Sequence, residues 1–273
     1  MSKPSVRKTE ELAKQIRRDM LTLAHRTKTP HIGPALSCVD ILTVLYTGVM
    51  RTDSRHPRSE DRDRFLLSKG HGALALYTCL SHMGFLSNEV LFSYCRNGSL
   101  LAEHPLVNSL PCIEFATGSL GHGLAVGIGM AMASRLKREA YRVFVLMGDG
   151  ECNEGSVWEA AGFASARKLE NLIAIVDHNR LQATDSYEKL SGGYDLARVW
   201  ESFGWETREV DGHDVAQLRR VYTRTFLSIQ KPKVIIAHTV KGKGVSFMEN
   251  NLEWHYRWPD AQDLEKALEE LKD

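Results

Sequence analysis

The sequence predicts an α/β domain of three layers, a mostly parallel sheet with helices on both faces. Five short runs, at 64–68, 141–147, 172–177, 205–210 and 233–240, read as strands. Most of them are apolar without helical period, as in strands buried on both faces. Helical patterns separate them, as in β-α-β units. The 273 residues, 43% of them hydrophobic, suffice for one large core. No internal repeat or low-complexity linker divides the chain, so 1–273 reads as a single domain with a helical N-terminal region and a C-terminal helix.

Residues 10–26 place Leu12, Ile16, Met20 and Leu23 on one helix face, and the cluster Thr29-Pro30-His31-Ile32-Gly33-Pro34 breaks that helix. A second helix is expected from near Pro34, which suits a first turn, to about 46. Charged residues 53–63 form a surface loop, strand 64–68 leads into Lys69-Gly70-His71-Gly72, and helices follow at 73–83 and 88–95. A long irregular passage then carries Glu103-His104-Pro105, and long loops in compact domains are often functional. Thr117 to Gly123 opens a helix through 137 with Gly123, Gly127 and Ala131 on one face and Ala125, Gly129 and Ala133 on another. Each glycine costs a helix about 0.5–1 kcal/mol against alanine, so this helix is expected to press closely on the domain itself or on a partner chain. Further helices are expected at 156–169 and 194–203, with 180–190 as loop. A helix capped by Asp214 should run to about Ile229 and end at Lys231-Pro232, and a charged helix closes the chain at about 260–271.

Thirty-five basic and 34 acidic side chains leave a net charge of +1, which gives no electrostatic case for nucleic acid or a membrane surface. No apolar run approaches the roughly 18 residues of a membrane helix, and the basic start lacks the apolar core of a secretory signal. Cys38, Cys79, Cys95, Cys112 and Cys152 are odd in number and form no C-x-x-C pair, so a reducing cytoplasm is the expected home.

The informative stretch is 141–182. Strand 141–147 ends in Gly148-Asp149-Gly150, a sharp turn that leaves a carboxylate at a strand's carboxyl end, where open α/β sheets bind ligands. Asn179 emerges past the next strand, and a right-handed crossover brings it to the same edge as Asp149. A carboxylate, an amide oxygen and a backbone carbonyl such as that of Leu181 form a hard oxygen set suited to Mg²⁺ or Ca²⁺ rather than Zn²⁺. Mg²⁺ completes its octahedron with phosphate oxygens and water, so a phosphate-bearing ligand is implied. His71, between two glycines after a strand, has its backbone freed to approach a ligand, although alone it is also readable as a bystander in a turn. His31 alone reads rather as a solvent-exposed or merely hydrogen-bonded loop side chain.

Gly-Asp-Gly, about thirty residues and then Asn resembles the thiamine diphosphate motif of the transketolase superfamily. The likeness extends over nearly the whole chain. In order come His31-x-Gly33, Arg62-Asp63-Arg64-Phe65-x-Leu67-Ser68-x-Gly70-His71, His104-Pro105, Thr117-Gly118-x-Leu120-Gly121-x-Gly123, Gly148-Asp149-Gly150 with Glu154-Gly155, Asn179, and Lys241-Gly242-Lys243-Gly244-Val245 before Trp254-His255. The chain is similar to the amino-terminal half of a split transketolase.

The resemblance implies transfer of a two-carbon ketol unit from a ketose, phosphorylated or otherwise acidic, to an aldose through thiamine diphosphate and Mg²⁺, with Ca²⁺ or Mn²⁺ as substitutes. It implies that Asp149, Asn179 and the Leu181 carbonyl hold the metal, that Gly150 approaches the diphosphate, and that His71 and His255 contact diphosphate and substrate. His104 would meet the donor's hydroxymethyl end and His31 its reacting carbonyl or hydroxyl. Gly118 and Leu120 would shape the site around the cofactor, and Glu154 would face the other active site across an interface. The resemblance also implies a C-terminal companion subunit carrying the pyrimidine-binding and C-terminal domains, in an α2β2 assembly. Pro34, His178 and Tyr256 depart from the family's commoner residues and bear on which sugar is taken. An α chain of a 2-oxo acid dehydrogenase shares Gly-Asp-Gly and Asn, but the histidines and Trp254-His255 argue against it. A non-catalytic cofactor-binding domain is the reading from another class, and the intact Asp149, Asn179 and four histidines weigh against it.

Overall fold

The computed structural model describes residues 4–225 and 230–272. Helices α1 (Val6–Thr27), α2 (Ile32–Ser37) and α3 (Val39–Val44) precede strand β1 (Arg64–Leu67), helices α4 (Ala73–His82), α5 (Asn88–Phe92) and α6 (Gly123–Leu136). Then come β2 (Val143–Gly148), α7 (Gly155–Ala166), β3 (Leu172–His178), α8 (Tyr187–Ser191), α9 (Leu196–Ser202), β4 (Glu206–Asp211), α10 (Val215–Thr225), β5 (Lys233–His238) and α11 (Ala261–Glu270). The five strands form one sheet in the order β1-β2-β3-β5-β4, every neighbouring pair parallel.

Alternate strand residues enter two separate cores, which is why these runs read as continuously apolar. Phe144, Leu146, Ile173, Ile175 and Ile235 pack under α1–α5, α10 and α11. Val143, Val145, Met147, Ala174, Val176 and Ile236 pack under α6, α7 and α9. The three layers are thus as expected. β4 is an edge, and its exposed Arg208 and Glu209 suit an edge strand. Among the described residues no helix is long and apolar enough to cross a membrane.

Several boundaries differ, each for a local reason. The helix expected at 34–46 is two helices that part at Cys38 (φ −97°, ψ 5°), followed by a wide turn over Leu45–Val49. The helix expected from Thr117 starts at Gly123, because Gly118 (φ 150°) and Gly121 (φ 83°) are in left-handed conformations no helix accepts. Residues 88–95 and 156–169 lose their last turns, with Cys95 and Lys168 at positive φ. The expected loop 180–190 contains a Leu181–Ser186 bridge and the start of α8, capped by Ser186. Asp214 caps α10 by accepting from the Gln217 amide at 2.8 Å, and the expected end near Ile229 lies outside the described residues.

The two small-residue faces of α6 divide cleanly. A Cβ on Gly127 would stand 2.6 Å from the Val145 side chain, so this face lies directly on the sheet, whereas Gly129 is exposed with nothing within 4 Å. Gly127→Ala should destabilise the isolated chain by about 1–3 kcal/mol through overpacking. Gly129→Ala should be neutral or add about 0.5–1 kcal/mol. Urea unfolding of the two variants checks the assignment of faces; equal effects would contradict it.

Candidate functional site

The site lies at the carboxyl ends of the parallel strands, where loops after β1, β2, β3 and β5 converge. A buried ion pair joins three of those loops to α2. Lys69, just past β1, donates to Asp177 at the end of β3 and, at 2.9 Å, to the Pro34 carbonyl in α2. Asp177 also accepts from Ser37 of α2 at 2.6 Å and from Thr239 after β5. Burial disfavours both charges, but each partner's field outweighs it, so Asp177 is held below the usual carboxylate range and Lys69 above the usual amine range. Glu151 makes a second tie. It accepts from the backbone amides of Gly121 (2.8 Å) and Gly148 (3.2 Å) and from the Ser68 hydroxyl, and burial pushes its carboxyl up.

Asp149 is buried and fully engaged: Oδ1 accepts from the Gly150 amide at 2.7 Å, and Oδ2 accepts from the Arg180 amide at 2.6 Å and lies 3.1 Å from His178 Nδ1. His178 therefore supports the carboxylate from behind. Buried Asn179 folds its Oδ1 back to the Leu181 amide at 3.1 Å, holding the loop that presents the Leu181 carbonyl. Gly150 abuts the same loop, since a Cβ there would meet Gln182 at 3.0 Å. Among the described residues no three His, Cys, Asp or Glu side chains form a metal-binding group, so a metal here would rest on this mixed set of hard oxygens.

Beside it the other three predicted histidines gather around His31. Its ring centroid lies 5.6 Å from that of His71, 5.8 Å from His104 and 5.1 Å from His255, with the exposed Tyr256 ring at 5.9 Å. His31 adopts φ 67°, uncommon for a non-glycine residue, and its amide donates to the His255 carbonyl at 2.8 Å. Pro34 lies in the first turn of α2, where a missing N–H leaves no gap, but the helix begins two residues earlier than its position suggests. Burial, together with neighbouring positive groups, drives His71 well below its ordinary range and lowers His255 to about 3. Burial also lowers His31, against the Glu103 carboxylate, whose Oε1 stands 2.8 Å from His31 Nδ1.

Lys241 links the two halves. Its ammonium donates to the Leu181 (3.3 Å) and Gln182 (2.8 Å) carbonyls and approaches His255 Nδ1 at 2.9 Å. Fully buried with no carboxylate contact among the described residues, it is lowered to about 8 by burial and by the nearby Lys69 charge. A buried cation beside hard oxygen donors suits an anionic ligand with a divalent metal. Thr117 Oγ1, buried without a partner, faces the position a Cβ on Gly70 would take, 2.8 Å away. Gly118 borders His104, Leu120 is half-buried in the same loop, and Glu154 is exposed against Gly121.

The residues missed by sequence reasoning are Lys69, Lys241, Asp177, Glu103 and Glu151. Lys69 and Lys241 had one readable signal: each is a lysine next to a glycine just beyond a buried strand.

Two outcomes follow from these charges. Lys69→Met leaves Asp177 buried and unpaired and should cost about 3–5 kcal/mol in urea unfolding, much of it recovered in the double variant Lys69→Met, Asp177→Leu. His31, His71 and His255 have folded values below 6.5, so beneath pH 6.5 the unfolded chain takes up protons the folded chain refuses. Thermal stability should therefore fall from pH 6.5 downward, and His255→Gln should flatten the slope above about pH 5, before ordinary carboxylates titrate. A flat wild-type profile there would contradict the neutral cluster.

The family model described as "Transketolase, thiamine diphosphate binding domain" matches residues 8–271. The chain is 42% identical over 257 residues to an apulose-4-phosphate transketolase subunit of Phocaeicola vulgatus, covering 94% of this chain and 91% of that one. It is 35% identical over 242 residues to the 6-deoxy-6-sulfo-D-fructose transketolase subunit SqwG of Clostridium sp. (strain MSTE9), covering 89% and 88%. The solved transketolase from Leishmania mexicana superposes with a TM-score of 0.90 at 28% identity, covering 99% of this chain but only 42% of that one. The chain therefore belongs to the transketolase family, within which it matches the thiamine diphosphate binding domain.

Proposed function

We propose that this chain is the N-terminal, diphosphate-binding subunit of a two-chain transketolase, moving a two-carbon ketol unit from a ketose to an aldose. The observation that carries this reading is the junction made by Lys241, where a hard oxygen set meets four convergent histidines. Asp149, Asn179 and the Leu181 carbonyl would hold Mg²⁺, or Ca²⁺ or Mn²⁺ in its place, with phosphate oxygens and water completing the shell. When bound, thiamine diphosphate supplies the electron sink that lets a carbon–carbon bond beside a ketose carbonyl break and re-form.

The chain's own residues then bind and orient. Lys241 offers a buried positive charge to the diphosphate, and Gly150 lets the backbone come close. Gly118 and Leu120 would border the cofactor. His31, His71, His104 and His255 would surround the sugar, and the neutral imidazoles of His31, His71 and His255 can both donate to and accept from its hydroxyls. His104 suits the hydroxymethyl end and His31 the reacting carbonyl or hydroxyl, while the Tyr256 ring lines the entrance.

Residues 1–273 are taken as one diphosphate-binding domain, a reading supported by a single sheet between two cores. The companion would be a C-terminal subunit with the pyrimidine-binding and C-terminal domains, in an α2β2 assembly. Support comes from two relatives named as transketolase subunits that this chain covers almost end to end, against 42% of the Leishmania chain. Exposed Glu154 suits a place at such an interface. The relatives' names, one a phosphate and one a sulfonate, favour an acidic ketose. Five free thiols fit a cytoplasmic setting.

Asp149→Ala or Asn179→Ala should abolish Mg²⁺-dependent binding of thiamine diphosphate in calorimetric titration while the far-UV spectrum stays that of the folded chain. The purified chain should transfer no ketol alone with saturating cofactor and Mg²⁺, and should do so once its companion is added. In that complex His31→Ala or His104→Ala should lower turnover by roughly 10²-fold or more. Unchanged cofactor affinity in both site variants, or robust turnover by the single chain, contradicts the proposal.

A further inference from the structure

His31 is the most constrained ring in the site. Its backbone is pinned at φ 67° by the bond to the His255 carbonyl, and its ring is surrounded by His71, His104, His255 and Tyr256. The charged group on its imidazole is Glu103, with Oε1 2.8 Å from Nδ1. The contact is bent: Nδ1 is buried without an aligned hydrogen bond, and the carboxylate lies off the axis of an Nδ1–H bond. Glu103 is about one-third exposed at its side chain, so it has room to swing into line.

We propose that Glu103 is a positioning residue for His31, fixing the proton on Nδ1 and leaving Nε2 as the bare acceptor that meets a substrate hydroxyl. A carboxylate on one imidazole nitrogen selects the tautomer and stabilises the cation formed when the other nitrogen takes a proton. The step balances simply: the hydroxyl O–H breaks, an Nε2–H forms, and the imidazolium stays paired with Glu103. Without that carboxylate, everything acting on His31 favours the neutral form. Burial is the largest cause, His104 and Lys241 act in the same direction, and the other facing rings are His71, His255 and Tyr256, none of them a carboxylate. Glu103 is the opposing contribution, so its removal should weaken His31 as a base.

The catalytic meaning of this contact rests on the ketol-transfer reading, but the proton on His31 can be tested apart from it. Glu103→Gln keeps the shape and removes the charge. Nitrogen-15 spectra of the isolated full chain, with the His31 ring assigned by comparison with His31→Gln, should show one tautomer, protonated at Nδ1, in the wild type. In Glu103→Gln they should show a mixture, with the titration midpoint lower by about one pH unit or more. In the reconstituted holoenzyme the same variant should lower kcat by about tenfold or more at neutral pH. The acid limb of kcat/KM should move to lower pH, and the KM for thiamine diphosphate should not change. An unchanged His31 titration, or an unchanged pH profile, overturns the assignment. A wild-type holoenzyme that transfers no ketol would sink the functional reading by itself, and the spectra would still decide whether Glu103 sets the proton on His31.

Discussion

The site depends first on the buried pair of Lys69 and Asp177. Three loops that carry or adjoin the candidate residues leave the sheet at β1, β3 and β5, and the pair with its Ser37, Pro34 and Thr239 contacts fastens them to one another and to α2. Two opposite charges withdrawn from water are costly, and the added contacts to the Pro34 carbonyl, Ser37 and Thr239 offset part of that cost. That arrangement fixes relative position more than it adds stability. His31, His71, Asn179 and Lys241 each lie within a few residues of one of its members, so their spacing is set before any ligand arrives.

The electrostatics above that anchor are lopsided. Among the described residues Lys241 is buried without a carboxylate contact, and the imidazoles of His31, His71 and His255 are shifted toward the neutral form by burial and by the positive groups around them. An anion entering beside Lys241 would relieve this imbalance. On the proposed reading, the oxygen set of Asp149, Asn179 and Leu181 is the complementary half, where a hard cation would bridge protein and anion. The two halves would then act together, the oxygen set holding the metal and Lys241 facing the anion.

Much of this was legible in the chain. Burial on both sheet faces writes itself as unbroken apolar runs, so the strands and the three layers could be read directly. Gly-Asp-Gly, Asn179 and the glycine-flanked His71 could be read because ligand approach demands particular backbone freedom at strand ends. Pairing was harder to see. Asp177 looks like the polar end of a strand, Lys69 and Lys241 look like loop lysines, and Glu103 looks like one more charge in a surface passage. Periodicity reports which face is buried, not which distant residue will neutralise a charge there. The broken helix at Cys38 and the late start of α6 escaped for a similar reason, since both follow from backbone angles that side-chain periodicity does not report.

The most direct measurement is a crystal structure of the chain with thiamine diphosphate and Mn²⁺, using the metal's anomalous scattering to locate it. The account predicts one strong peak within coordination distance of Asp149, Asn179 and the Leu181 carbonyl, and a diphosphate between that peak and Lys241. A metal elsewhere, or a diphosphate bound away from Lys241 and Gly150, would contradict it.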